Sequence, residues 1–145
     1  MKKQDWLLIY LYLSSKSPLI DPIRIMKGLF LFKMELKEKL KEFYNFVPYL
    51  YGPCSFEIYD DLLKLRLDGL VDELSQPFSR WSYYRLLGRG QGIAEELKNN
   101  APSDLVTKLE AIKVRVTSLS FQNLLREIYR DYPEYARSSV INFRD

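Results

Sequence analysis

The 145-residue chain has no histidine and one cysteine, Cys54. Without imidazole there is no Ser-His or Cys-His nucleophile pair and no histidine metal ligand. A lone thiol makes neither a multi-cysteine zinc site nor an intrachain disulfide. Asp60 and Asp61 are adjacent, and on a helix they diverge by about 100°, so they do not converge on one metal. "ELK" stands at 35–37 and again at 96–98, both within helical spacing, where solvated charge accounts for it. "GRGQG" at 88–92 has alternate glycines but lacks the spacing of a phosphate loop, and it reads as a turn. This inventory predicts a protein that is not an enzyme and uses no metal or cofactor.

Two other groupings suit binding. Arg80, Arg85 and Arg89 are interleaved with Trp81, Tyr83 and Tyr84. Guanidinium groups grip phosphates and rings stack on bases, so Arg80, Trp81, Tyr83, Arg85 and Arg89 are the nucleic-acid candidates. The same pattern also suits aromatics packed on a core with arginines solvating an edge strand. The second grouping surrounds "FVPYLYGPCSFEIYDD", with Phe46, Pro48, Tyr49, Tyr51, Pro53 and Phe56. Tyrosines and prolines on a rigid turn anchor a partner at low entropy cost. Glu57, Asp60 and Asp61 follow at once. Tyr49, Tyr51, Pro53, Phe56, Glu57, Asp60 and Asp61 are thus the protein-binding candidates. The Tyr51-Gly52-Pro53 turn equally suits a structural corner, and Cys54 a small buried hydrophobe.

These groups need elements to position them. Residues 4–14 are apolar, a run whose periodicity suits helix or strand; Asp5 as a cap and "SSKSP" as a stop favour a helix. Asp21-Pro22 opens the next helix, an N-cap acceptor before proline. It runs from Ile23 to about Leu40, apolar nearly all round in its first half, as in a central buried helix. Gly28 inside it implies close packing of another helix. Residues 43–53 read as an extended connection with a turn at Gly52-Pro53. Ser55 can cap a third helix, about 56–68, with Ile58, Tyr59, Leu62, Leu63 and Leu65 buried and Gly69 closing it. Its exposed face then carries Glu57, Asp60, Asp61, Lys64 and Asp68. "LVDEL" (70–74) and "RWSYYRLL" (80–87) alternate as the arms of a β-hairpin. A short helix is expected over Ile93–Asn99. Ser103 and Ser120 can cap two last helices, and Pro133 ends the second.

A net charge of +3 permits nucleic-acid contact without arguing for it. The longest apolar run, Trp6–Leu13, is too short for a bilayer span, which needs roughly 20 residues. Ser14-Ser15-Lys16 after it lacks the small-residue cleavage site of a signal peptide. With one cysteine, the expectation is a cytoplasmic protein without a membrane association.

The sequence predicts one domain of mainly α (α+β) class: a winged helix-turn-helix-like core over 1–100 with one β-hairpin wing, and a C-terminal helical hairpin extension over 101–145. "DPIRIMKGLFLFKME" and "FVPYLYGPCSFEIYDDLLKLRLDGLVDE" resemble the SocA/Panacea-type proteins and the related YwgA-like proteins of prokaryotes. The matching stretches are Arg24–Phe32, Tyr51-Gly52-Pro53 and Glu57-Ile58-Tyr59. The tail "LLREIYRDYPEYARSSV" is similar to the YwgA-like C-terminus. The resemblance implies a winged-helix-like domain, and in the Panacea branch an antitoxin that neutralises a partner protein. Four acidic groups on the third helix would be repelled by phosphates. The expected role is therefore a non-catalytic module binding a protein partner. The alternative is a transcription regulator that contacts DNA through the wing.

Overall fold

The computed structural model describes residues 1–13 and 18–143; most of the expected stop signal at 14–17 lies outside them. Among the described residues the protein is mainly helical, with two small antiparallel strand pairs. The helices are α1 (Lys3–Tyr12), α2 (Pro22–Leu36), α3 (Phe56–Leu67), α4 (Gly88–Asn100), α5 (Ser103–Ser118) and α6 (Phe121–Asp131). The strands are β1 (Val47–Tyr49), β2 (Gly52–Cys54), β3 (Val71–Leu74) and β4 (Tyr83–Leu86).

Local chemistry sets most of the boundaries. Asp21 accepts a hydrogen bond from the Arg24 N–H at 2.9 Å, and Pro22 opens α2. The Ser120 hydroxyl accepts from the Asn123 N–H at 3.1 Å at the start of α6. Gly69, at φ +75°, follows α3, and the Leu70 N–H reaches back to the Leu65 carbonyl. Pro133 stops α6 and begins a short 3-10 turn, Pro133–Ala136. Four expectations about helix ends need correction. Ser103 does not cap α5 but is its first residue, with Pro102 as the N-cap. Asp5 lies inside the first turn of α1, where it accepts from the Lys2 N–H at 2.9 Å, and Lys2 is the N-cap. α2 gives way after Leu36 to a 3-10 turn, Lys37–Lys39. "GRGQG" is not a turn but the first part of α4. A Cβ on Gly90 would lie 2.1 Å from the Leu70 carbonyl oxygen, so glycine lets this helix start against the backbone entering β3.

β3 and β4 pair from Val71 with Leu86 to Leu74 with Tyr83. Ile20, between α1 and α2, exchanges two backbone hydrogen bonds with Tyr84, at 3.0 and 2.8 Å, which extends this sheet by one residue. β1 and β2 form a second hairpin whose turn is Leu50-Tyr51. The sequence had suggested only an extended connection here, turning at Gly52-Pro53. Pro48 and Pro53 lie opposite each other, one pair away from the turn. In a two-residue hairpin that pair exchanges no backbone hydrogen bond, so two residues without an N–H fit.

α2 is the hub. Ile25, Met26, Leu29, Phe30 and Phe32 are all buried in one core with α1 residues Trp6–Leu11 and with Leu109, Ile112 and Val116 of α5. Phe30 meets Phe46, Tyr132 and Tyr135 edge-on, at centroid distances of 5.5, 5.2 and 4.6 Å. Lys113 of α5 is buried and donates to the Leu11 and Leu13 carbonyls, at 3.2 and 2.6 Å. It places a cation where α1 leaves carbonyls unpaired.

α1 packs on α2 at Gly28. The Tyr10 hydroxyl donates to the Arg24 carbonyl at 2.8 Å, which lays its ring over the glycine. A Cβ on Gly28 would stand 2.0 Å from the Tyr10 hydroxyl oxygen. Gly28→Ala is therefore expected to cost about 1–3 kcal/mol through overpacking. In a urea-unfolding double-mutant cycle, Tyr10→Phe should recover part of that loss, although alone it forfeits a hydrogen bond of about 1 kcal/mol. Purely additive losses would mean that Tyr10 is not what Gly28 accommodates.

Candidate functional site

The candidate protein-binding residues converge on the β1–β2 hairpin and the first turns of α3. The hairpin is held from behind by the C-terminal part of the chain. Gly52 sits at φ +86°, and a Cβ there would be 3.0 Å from the Tyr129 ring. The Leu50 carbonyl accepts from the Val140 N–H at 2.9 Å. Tyr51 packs edge-on against Trp81 and Phe121, with centroids 5.4 and 5.6 Å away, and its hydroxyl accepts from Arg80. Pro53 is buried, and its carbonyl accepts from Lys27 at 3.0 Å. Gly52 and Pro53 are thus structural residues of β2, packed just after the Leu50-Tyr51 turn. Tyr49 and Phe56 remain exposed and lie edge to face at 5.3 Å.

The outer face of α3 is not acidic. Asp61 points inward, only 7% exposed, and accepts a hydrogen bond from the buried Tyr44 hydroxyl at 2.7 Å. Glu57 is tied to Lys3 and accepts from the Asn45 N–H at 3.1 Å; the Lys3 hydrogen bond holds its carboxyl below the usual range. Ser55 is the N-cap residue by position, but its buried hydroxyl makes no capping hydrogen bond. Ile58, Leu62 and Leu65 are buried as expected, whereas Tyr59 and Leu63 face outward. Phe56, Tyr59, Leu63 and Leu67 are spaced by three, four and four residues, which is one helix face. Leu63 is 51% and Leu67 77% exposed. Asp60, Lys64 and Asp68 are exposed polar residues beside this stripe. Val47, Tyr49 and Leu50 of the hairpin are exposed as well.

The nucleic-acid candidates do not form a free basic stripe. Arg80 donates to Tyr51, Arg85 pairs with Asp72 at 3.4 Å, and Arg89 donates to the Asp68 carbonyl at 3.1 Å. Trp81 packs on Phe121 as well as Tyr51, and Tyr83 is half-buried in β4. At the tip of the β3–β4 loop Phe78 is fully exposed, with a positive φ of 63°. Among the described residues no three Asp, Glu or Cys side chains are grouped to hold a metal ion. Among the same residues no helix is long and apolar enough to cross a membrane.

Sequence reasoning missed Lys27. Its side chain is 1% exposed in the core of α2, beside Cys54, with the Pro53 carbonyl as its hydrogen-bond acceptor. The available signal was one lysine within the otherwise apolar run "IMKGLFLF". Burial lowers its pKa from 10.5 to about 7, an effect that Cys54 and Asp21 partly offset. Lys113 is lowered in the same way to about 8.

Between about pH 7 and 10.5 the unfolded chain therefore binds a proton at Lys27 that the folded chain does not. Stability rises with pH across that window. The buried tyrosines Tyr10, Tyr44 and Tyr84, and Cys54, have raised pKa values, chiefly from burial, and act oppositely above about pH 9. The urea midpoint should accordingly rise from pH 7 to pH 9, and Lys27→Met should remove about 1–2 kcal/mol of that rise. Identical profiles in both chains would mean that Lys27 titrates at its ordinary pH.

No protein-family model matches this chain, and no curated protein matches it either. The site is therefore characterised by its geometry: an exposed apolar helix face running into an aromatic hairpin.

Proposed function

We propose that this chain is a non-catalytic, winged-helix-like binding module that regulates or neutralises a partner protein, in the manner of an antitoxin or adaptor. The order α1, Ile20 bridging to β4, α2, α3 and then the β3–β4 hairpin supports the winged-helix reading. The observation that carries the function is the exposed stripe Phe56, Tyr59, Leu63 and Leu67 on α3, where such a domain would carry its reading helix. Fully burying one such side chain stabilises a complex by about 1.5–3 kcal/mol. A duplex offers mainly phosphate and base edges, and the exposed charges beside the stripe, Asp60 and Asp68 against Lys64 and Arg66, cancel and give phosphates no net attraction. The aromatic hairpin extends the same surface with rigid anchors. DNA contact through the wing is the competing reading. A phosphate would share Arg80, Arg85 and Arg89 with the acceptors that already hold each of them, and these bonds keep the three guanidinium groups from forming one free stripe.

Leu63→Glu/Leu67→Glu tests the proposal without touching the core. A tagged chain expressed in its own host should retain a specific protein, and the double variant should bind it at least tenfold more weakly, about 1.4 kcal/mol or more. Combined Arg80→Ala, Arg85→Ala and Arg89→Ala should leave that interaction intact. Duplex binding that falls with salt and disappears in the arginine variant, with no retained protein, would replace this reading with the DNA regulator.

A further inference from the structure

Between α2, the β1–β2 hairpin, α3 and Trp81 lies a cavity of about 210 Å3. Its buried lining is Ile23, Met26, Lys27, Gly52 and Cys54. Tyr49, Leu50, Phe56 and Tyr59 are exposed and form the rim, with Tyr51 and Trp81 half-buried at one side. The space equals roughly seven waters at about 30 Å3 each. It falls below the roughly 300–1,000 Å3 that holds a drug-sized ligand, and so suits a single ring or a short chain. Its lining is mostly apolar and aromatic, and Lys27 is its one cation; among the described residues that ammonium, with three N–H donors, has one acceptor, the Pro53 carbonyl at 3.0 Å.

A buried ammonium with one acceptor is under-satisfied, and an anionic occupant would complete it through charge-assisted hydrogen bonds. We infer that this cavity is a binding site for a small apolar monocarboxylate, with its ring or chain between Met26, Tyr59 and Trp81 and its carboxylate on Lys27. A phosphate or a dicarboxylate does not fit this chemistry, because the walls provide no second cation and would desolvate the extra charge. A cationic ligand is excluded by repulsion from Lys27. The lowered affinity of Lys27 for its proton agrees with an amine that lacks a counter-charge. The inference does not depend on the proposed protein partner, because it concerns the isolated chain.

The test is calorimetric titration of the purified full chain at pH 6.5 with 3-phenylpropanoate, 3-phenylpropanamide and 3-phenylpropylamine. The carboxylate should bind saturably, at least about tenfold more tightly than the amide, as one charge-assisted hydrogen bond implies. The amine should not bind. Lys27→Met keeps the stem and removes the charge, so the carboxylate should bind it no more tightly than the amide. Tyr59→Ala, at the exposed rim beside the ligand's ring, should weaken both ligands together. Equal binding of carboxylate and amide by the native chain would overturn the inference. So would no saturation at 10 mM carboxylate, or a carboxylate preference that survives Lys27→Met.

Discussion

α2 is enclosed by protein on nearly every side, and an enclosed helix must find a partner for each polar side chain it carries. Most of these partners lie on other parts of the chain. Arg24 pairs with Asp21 at 2.6 Å and donates to the Leu119 carbonyl at 2.9 Å, where α5 turns into α6. Lys27 donates to Pro53 in β2. Lys33 donates to the Tyr44 carbonyl at 2.6 Å, in the segment that leads to β1. These bonds fix irregular backbone that regular ladders do not reach. The apolar packing around α2 supplies most of the stabilisation, while the polar spokes decide where the connections sit.

That arrangement also decides what remains outside. The hairpin β1–β2 is clamped by Lys27 from within and by Tyr129 and Val140 from behind, so only Tyr49, Leu50 and Val47 stay free. α3 follows directly, and Tyr44 draws Asp61 inward. Once Asp61 faces the core, Ile58, Leu62 and Leu65 line the same side. Phe56, Tyr59, Leu63 and Leu67 then have nowhere to go but solvent. A stripe of this kind costs solubility, which is the physical reason to regard it as a contact surface. The cavity beside it arises from the same geometry, because the hairpin stands off α2 by the length of a lysine.

Much of the framework was determined by the sequence alone, because the signals are local. Asp21-Pro22, Ser120, Gly69 and Pro133 each act on backbone within four residues, so they mark helix ends whatever the rest of the chain does. The β3–β4 hairpin was legible from alternation and β-branched or aromatic content. Gly28 announced a close approach, though not that a tyrosine would make it.

Only the tertiary structure decided which face of α3 is covered. That helix is apolar on two sides, with Ile58, Leu62 and Leu65 on one and Phe56, Tyr59, Leu63 and Leu67 on the other. Periodicity cannot choose between two stripes, and the choice rests on Tyr44, seventeen residues from Asp61. The burial of Lys27, the pairing of β1 with β2 and the early start of α4 at Gly88 share this character. Each depends on an acceptor, a ring or a carbonyl supplied from elsewhere in the chain: Pro53 for Lys27, Tyr129 behind Gly52, and Leu70 against Gly90. A helix cap is an agreement between neighbours, while a buried lysine or a covered face is settled by distant residues meeting in space.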